Sequence, residues 1–201
     1  MEYTMKLNLT PELVAGFAAV LQCVGTDKLT PVLMAVRVTP EHLLATDRYI
    51  AARFTHGQEL PEDAEPVTVP AATVKILAAL KPALGATITL ESDRYTIADS
   101  EGNTLSAATF ENITTFNFPP VDRLFPDAPN RAGESTLGAA PEFLSLAPKT
   151  LVKALNASLK IDKNAPASFE FTKTNNPLKP GPVLMTQGAL AVLIQPSMLL
   201  R

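Results

Sequence analysis

Three times along this chain a short alternating stretch runs into a proline and then into a brief amphipathic helix. The first is Lys6-Leu7-Asn8-Leu9-Thr10-Pro11-Glu12, followed by an apolar stripe at Leu13, Phe17, Leu21 and Val24. The second is Val67-Thr68-Val69-Pro70, with Val74, Leu77 and Leu80 on the helix and Pro82 ending it. The third is Leu144-Ser145-Leu146-Ala147-Pro148, with Leu151, Leu155 and Leu159. Proline at the first helical position loses nothing by lacking an N–H, and Thr10 supplies an N-cap oxygen. The four-residue spacing of Leu151, Leu155 and Leu159 is expected to hold that face on the core. A repeated unit restricts the chain to folds in which equivalent pieces pack on one another.

Each helix is followed by strand-rich sequence. The expected strands are Val32–Val38, Leu43–Thr46 and Ile50–Phe54, then Thr87–Leu90, Tyr95–Ala98 and Thr104–Phe110, then Phe169–Thr172, Val183–Thr186 and Leu190–Ile194. The unit therefore reads strand, helix, strand, strand, strand. The fold class is α+β, with mostly antiparallel sheets and helices on one face. The 18 prolines punctuate short segments and exclude long helices. From Asp127 to Ser135 there is no apolar period, so 127–141 is expected to link a domain of two units, 1–126, to a single unit, 142–201.

A net charge of −3 excludes a globally basic nucleic-acid coat, and 46% hydrophobic residues suffice for a buried core. One cysteine, Cys23, excludes a disulfide framework or a multi-cysteine zinc site and fits a reducing compartment. Neither a signal peptide nor a membrane span is legible, so a cytoplasmic protein is expected.

Three segments resemble the bacterial β-type DNA sliding clamp. Leu43-Leu44-Ala45-Thr46-Asp47-Arg48-Tyr49 is similar to the strand-ending Ala-Thr-Asp segment of clamp domains. Phe118-Pro119-Pro120-Val121-Asp122-Arg123-Leu124-Phe125-Pro126 resembles the segment that closes the clamp's middle domain. Val192-Leu193-Ile194-Gln195-Pro196-Ser197-Met198-Leu199 is a looser relative of the family's terminus. Residues 1–126 look like a whole clamp domain and 142–198 like the second half of another. The chain departs from the pattern after Thr46-Asp47, where Arg48 stands in place of the usual glycine, and at Gln195, where an apolar residue is usual.

The resemblance implies a non-catalytic processivity factor in DNA replication, holding a DNA polymerase on its template by non-specific contact with double-stranded DNA. It implies a homo-oligomer, since four copies of three units would supply the twelve units of a six-domain ring, and a clamp loader as a further partner. No cofactor, metal or membrane partner is implied. A clamp-like adaptor or decoy, binding clamp partners or a host clamp without encircling DNA, is the alternative.

DNA contact requires local positive charge even on an acidic protein. Lys149, Lys153 and Lys160 fall within about 40° on a helical wheel, opposite the leucine stripe. Lys75 and Lys81 lie on the second helix or at its end, where favourable charge at a helix C-terminus also accounts for Lys81. The first helix carries no basic residue, and a solvated helix face explains the lysines equally well. Carried over from the resemblance, a pocket for partner peptides would be lined by Val32, Thr46, Tyr49, Ile50, Pro119, Leu124, Val183, Ile194, Pro196 and Met198. Core burial is the competing reading for Val32, Leu124, Val183 and Ile194.

Enzymatic chemistry finds little support. Cys23 falls near the apolar stripe of the first helix and reads as an inert thiol. His42 and His56 have no metal-ligand companion at usable spacing, and no Gly-rich phosphate loop occurs.

Overall fold

The computed structural model describes residues 4–61, 64–113, 117–126, 144–172 and 180–197. The first unit comprises β1 (Met5–Asn8), α1 (Pro11–Val20), β2 (Ala35–Val38), β3 (His42–Thr46) and β4 (Ile50–Thr55). The second comprises β5 (Val67–Pro70), α2 (Ala71–Leu77), β6 (Thr87–Leu90), β7 (Arg94–Ala98) and β8 (Thr104–Thr109). The third comprises α3 (Pro148–Ile161), β9 (Ser168–Phe171), β10 (Val183–Gln187) and β11 (Leu190–Ile194). The expected strand before α3 does not form a ladder; Leu144–Ala147 is tied down by the Ser197 N–H, which donates to the Ser145 carbonyl at 2.8 Å. The expected linker, 127–141, lies outside the described residues.

Local chemistry sets the helix starts. The Thr10 hydroxyl accepts from the Leu13 N–H at 3.1 Å, and Pro11 opens α1. Proline also opens α3. The sequence reading runs α1 to Val24, but the α-helix stops at Val20 and a 3-10 turn, Leu21–Cys23, follows. α2 likewise ends at Leu77, before Pro82 can end it.

The strands form two antiparallel sheets, ordered β1-β6-β7-β8 and β5-β2-β3-β4-β11-β10-β9. The first two units are interlocked by exchange: the strand preceding each helix joins the other unit's sheet, β1 beside β6 and β5 beside β2. The third unit attaches differently. Its last strand pairs along β4, from Leu190 opposite Phe54 to Ile194 opposite Ile50, making a seam inside the seven-stranded sheet.

The helices line one side of the sheets, with α1 between α2 and α3. Beneath them lies the main core, including Phe17, Leu43, Ile50, Leu77, Met185 and Ile194. Gly16 lets α1 sit close to β4, because a Cβ there would lie 2.4 Å from the Phe54 ring.

α3 corrects the expected orientation of its leucines. Its buried residues are Thr150, Ala154, Ala157 and Ser158, while Leu155 and Leu159 are 42% and 56% exposed. The small side chains bring α3 close to α1 and the sheet. The Ser158 hydroxyl donates to Gln187 Oε1 at 2.7 Å, and Gln187 Nε2 donates to the carbonyls of Asp162 and Ala165. A buried, satisfied polar network thus occupies part of the face expected to be apolar.

Candidate functional site

Two surfaces carry the expected site residues: the helix side and the opposite, outer face of the seven-stranded sheet. On the helix side, Lys75, Lys81, Lys149 and Lys160 are exposed. Lys75 of α2 and Lys160 of α3 line one shallow groove of about 180 Å³ across the C-terminal end of α1 and the 3-10 turn after it, with Ala18, Leu21, Gln22, Ala78 and Ala79 as its other walls. The helix without basic residues is therefore flanked by lysines from both neighbours. This pairing is invisible on separate helical wheels, because it arises from the order of the helices.

Lys153 takes a different place from its wheel neighbours. Its ammonium donates to Asp47 Oδ2 at 2.5 Å and to the Val24 carbonyl at 3.0 Å, bracing α3 against the first unit at the seam. Its charge is already partnered inside the protein, whereas Lys149 and Lys160 stand exposed. Asp47 also holds its own turn, with Oδ1 accepting from the N–H groups of Tyr49 and Ile50 at 3.0 Å each. Between Asp47 and Tyr49, Arg48 has φ of 82°, a left-handed conformation that favours glycine.

The outer face holds a second, smaller apolar cluster. Leu44, Ala51, Leu184 and Leu193 project from the strands and are covered by Val121 and Phe125, with Phe118 and Ala191 packed at the edges. Val121–Leu124 is a 3-10 turn, and its first residue, Val121, reaches the sheet together with Phe125, which follows it. Arg53 also emerges on this face, with its guanidinium carbon 4.4 Å from the centroid of the Phe125 ring and Nη1 3.5 Å from Asp122 Oδ1. Beside this cluster runs a groove of about 490 Å³, lined by Arg37, Thr39, Leu44, Asn117–Val121, Asp122 and Arg123.

The expected peptide pocket meets this face only in part. Pro119 lines the groove, while Tyr49 and Leu124 are 66% and 50% exposed. Ile50, Val183 and Ile194 point the other way, into the core beneath the helices, and cannot line an outer pocket. Strand side chains alternate, so the residues presented outward are their neighbours Ala51, Leu184 and Leu193. Thr46 is buried, its hydroxyl donating to the Ile50 carbonyl at 2.7 Å. Pro196 is buried and Val32 half-buried, and Met198 lies outside the described residues.

The Cys23 thiol is pushed up to about 12, chiefly by burial and against the opposing pull of Lys153. Burial also lowers the pKa of His42, partly countered by Asp122, and that of His56. The His56 ring accepts from the Gln58 N–H at Nδ1 and lies 3.1 Å from the Thr39 carbonyl at Nε2, so the neutral Nε2–H tautomer fits both contacts. Among the described residues no cluster of three or more His, Cys, Asp or Glu could hold a metal ion, and no helix is long and apolar enough to cross a membrane.

No protein-family model matches the chain, and no curated protein matches it in sequence. Solved structures do. The DNA polymerase III β subunit of Borrelia burgdorferi superposes with a TM-score of 0.68 at 12% identity, over 98% of this chain and 64% of that one. The Bacillus subtilis DNA polymerase sliding clamp gives 0.63 at 18% identity, over 96% and 64%. That of Pseudomonas aeruginosa gives 0.64 at 12%, over 98% and 67%. The chain thus spans about two thirds of the length of the proteins it superposes on. Two interlocked units, helices on one face and a third unit sewn on along a strand seam: this is the fold of the bacterial DNA sliding clamp.

Proposed function

We propose that this protein is a clamp-like processivity factor. It lays its helix side along double-stranded DNA and presents its outer face to peptides of a DNA polymerase. The observation that carries the reading is the groove at the C-terminal end of α1, which Lys75 and Lys160 line from two different helices and units. Lysine–phosphate contacts of this kind are insensitive to sequence and weaken with salt, so they permit sliding. Such a protein binds and tethers, and needs no catalytic group of its own.

Partner docking belongs to the outer face, where Tyr49 and Leu124 are exposed beside the apolar cluster and the groove at Phe118–Arg123. An extended peptide bound there would bury one or two apolar anchors, with Arg37 and Arg123 available to acidic flanking residues.

The test is duplex-DNA binding measured by fluorescence anisotropy over a salt series. The Lys75→Ala, Lys160→Ala double variant is expected to reduce the log–log salt slope by about 2, since each phosphate contact contributes about 0.9. An unchanged slope overturns the helix-side contact. In parallel, Tyr49→Ala with Leu124→Ala is expected to weaken capture of a clamp-binding polymerase peptide at least tenfold, about 1.4 kcal/mol. A chain that binds the peptide but no DNA would be an adaptor, the reading favoured by the use of Lys153 inside the protein.

A further inference from the structure

Among the described residues α1 has a helix packed on each flank, whereas α3 has one on a single side. Around α3, Lys153 marks the flank toward the first unit, and Thr150, Ala154 and Ala157 face inward. Lys149, Asn156 and Lys160 are exposed on the helix side. The remaining flank, opposite Lys153, is a stripe of Val152, Leu155 and Leu159, all more than 40% exposed and without a charge among them. Beside it β9 ends the seven-stranded sheet, and Phe169, paired with the core residue Met185, stands half-exposed on the same side as the helices. α3 and β9 thus present one continuous apolar flank.

We propose that a second copy of this chain covers that flank, so that the third units of two copies pack about a two-fold axis into one whole domain. The first two units already demonstrate the arrangement: α1 lies against α2, and each unit gives the strand before its helix to the other's sheet. The third unit has both halves of that exchange to offer. Among the described residues β9 is paired on one edge only, and the Leu144–Ala147 segment before α3 joins no ladder. A two-fold axis would lay Leu144–Ala147 of each copy along β9 of the other, as β1 lies along β6. An uncharged stripe also faces its own copy across a two-fold without repulsion. The inference rests on the fold and does not depend on DNA contact.

Sedimentation velocity of the full chain across micromolar concentrations tests it. The expected result is a dimer or an even multiple, with the Leu155→Glu, Leu159→Glu variant halving the mass while keeping its far-UV circular dichroism. A wild-type chain that stays monomeric, or a folded variant of unchanged mass, overturns it. Ala107→Arg on the uncharged, exposed β8 edge separates the rival site: a mass halved by this change and untouched by the leucine variant places the interface there instead and overturns the proposal. Leu155 lies near the middle of α3, so antiparallel helices about the axis bring it to its own copy. Leu155→Cys under copper–phenanthroline oxidation is therefore expected to give a reducible cross-linked dimer, with Cys23 buried and silent in the wild type. An oligomer that fails to cross-link also overturns it.

Discussion

α1 and α3 lie side by side over the same seven-stranded sheet, yet their surfaces are built on different terms. α1, Pro-Glu-Leu-Val-Ala-Gly-Phe-Ala-Ala-Val, carries a single charge at Glu12, and its close approaches use Gly16 and alanine. α3 carries Lys149, Lys153 and Lys160 and turns leucines outward. The difference teaches that helix composition here reports what lies on the two flanks as well as what lies beneath. A helix covered on both sides needs small and apolar residues nearly all round, and a helix at the end of the row can carry charge.

The largest effect should come from emptying the covered helix. Phe17→Ala is expected to cost about 3–5 kcal/mol in urea unfolding, whereas Leu159→Ala on the exposed flank should cost well under 1 kcal/mol in the monomer. Equal costs would break the contrast. Gly16→Ala comes next: although alanine favours a helix, the collision with Phe54 should destabilise by about 1–3 kcal/mol. A stabilised variant would mean that α1 can lift from β4 without loss.

The seam between the two helices offers a subtler test. Lys153→Met should cost about 1–3 kcal/mol, because it leaves the half-buried Asp47 carboxylate and Val24 carbonyl short of a donor. On the proposed helix-side contact with DNA, the same change should leave the salt dependence of binding untouched, while Lys160→Ala does the reverse. A double-mutant cycle with Asp47→Asn isolates the pair. Beside it, Arg48→Gly should stabilise by up to about 1 kcal/mol by relieving a left-handed arginine, the loss of unfolded-chain restriction offsetting part of the gain.

Proton linkage provides the gentlest measurement. His42 and His56 have pKa values lowered from 6.5 by burial, so the unfolded chain takes up protons first as pH falls. Their contribution to stability is complete above about 6.5 and is lost as pH drops from there through the lower folded values. The urea midpoint should therefore fall between pH 7.5 and pH 5.5, and less steeply in His56→Gln. A rise would mean that Asp122 outweighs burial at His42.

The repeat was legible because proline at a helix start and alternating strand residues are local signals, as at Pro11, Pro148 and Thr87–Leu90. The outer face was not. β4 reads Ile-Ala-Ala-Arg-Phe-Thr, and five of its six residues are buried because both faces of the sheet are covered. With no polar alternation, nothing local tells Ile50 from Ala51, and a pocket read one residue out of register lands in the core. Leucine spacing misled at α3 for a related reason: Ala154 and Ala157 pack closely where larger residues would hold the helix away. The fate of Lys153 was beyond any wheel, since its partners Asp47 and Val24 are more than a hundred residues away in sequence.

Beneath the Lys153–Asp47 brace lies Cys23, fully buried, with its thiolate suppressed to a pKa of about 12. At neutral pH a thiol reagent finds neither access nor nucleophile until α3 parts from the first unit. The protein thus carries its own stopwatch: the labelling rate of this one sulfur records how often the seam breathes, set against how often the whole chain unfolds. For a fold whose two parts are sewn together by five residue pairs along a strand, that interval measures how long the joined form lasts.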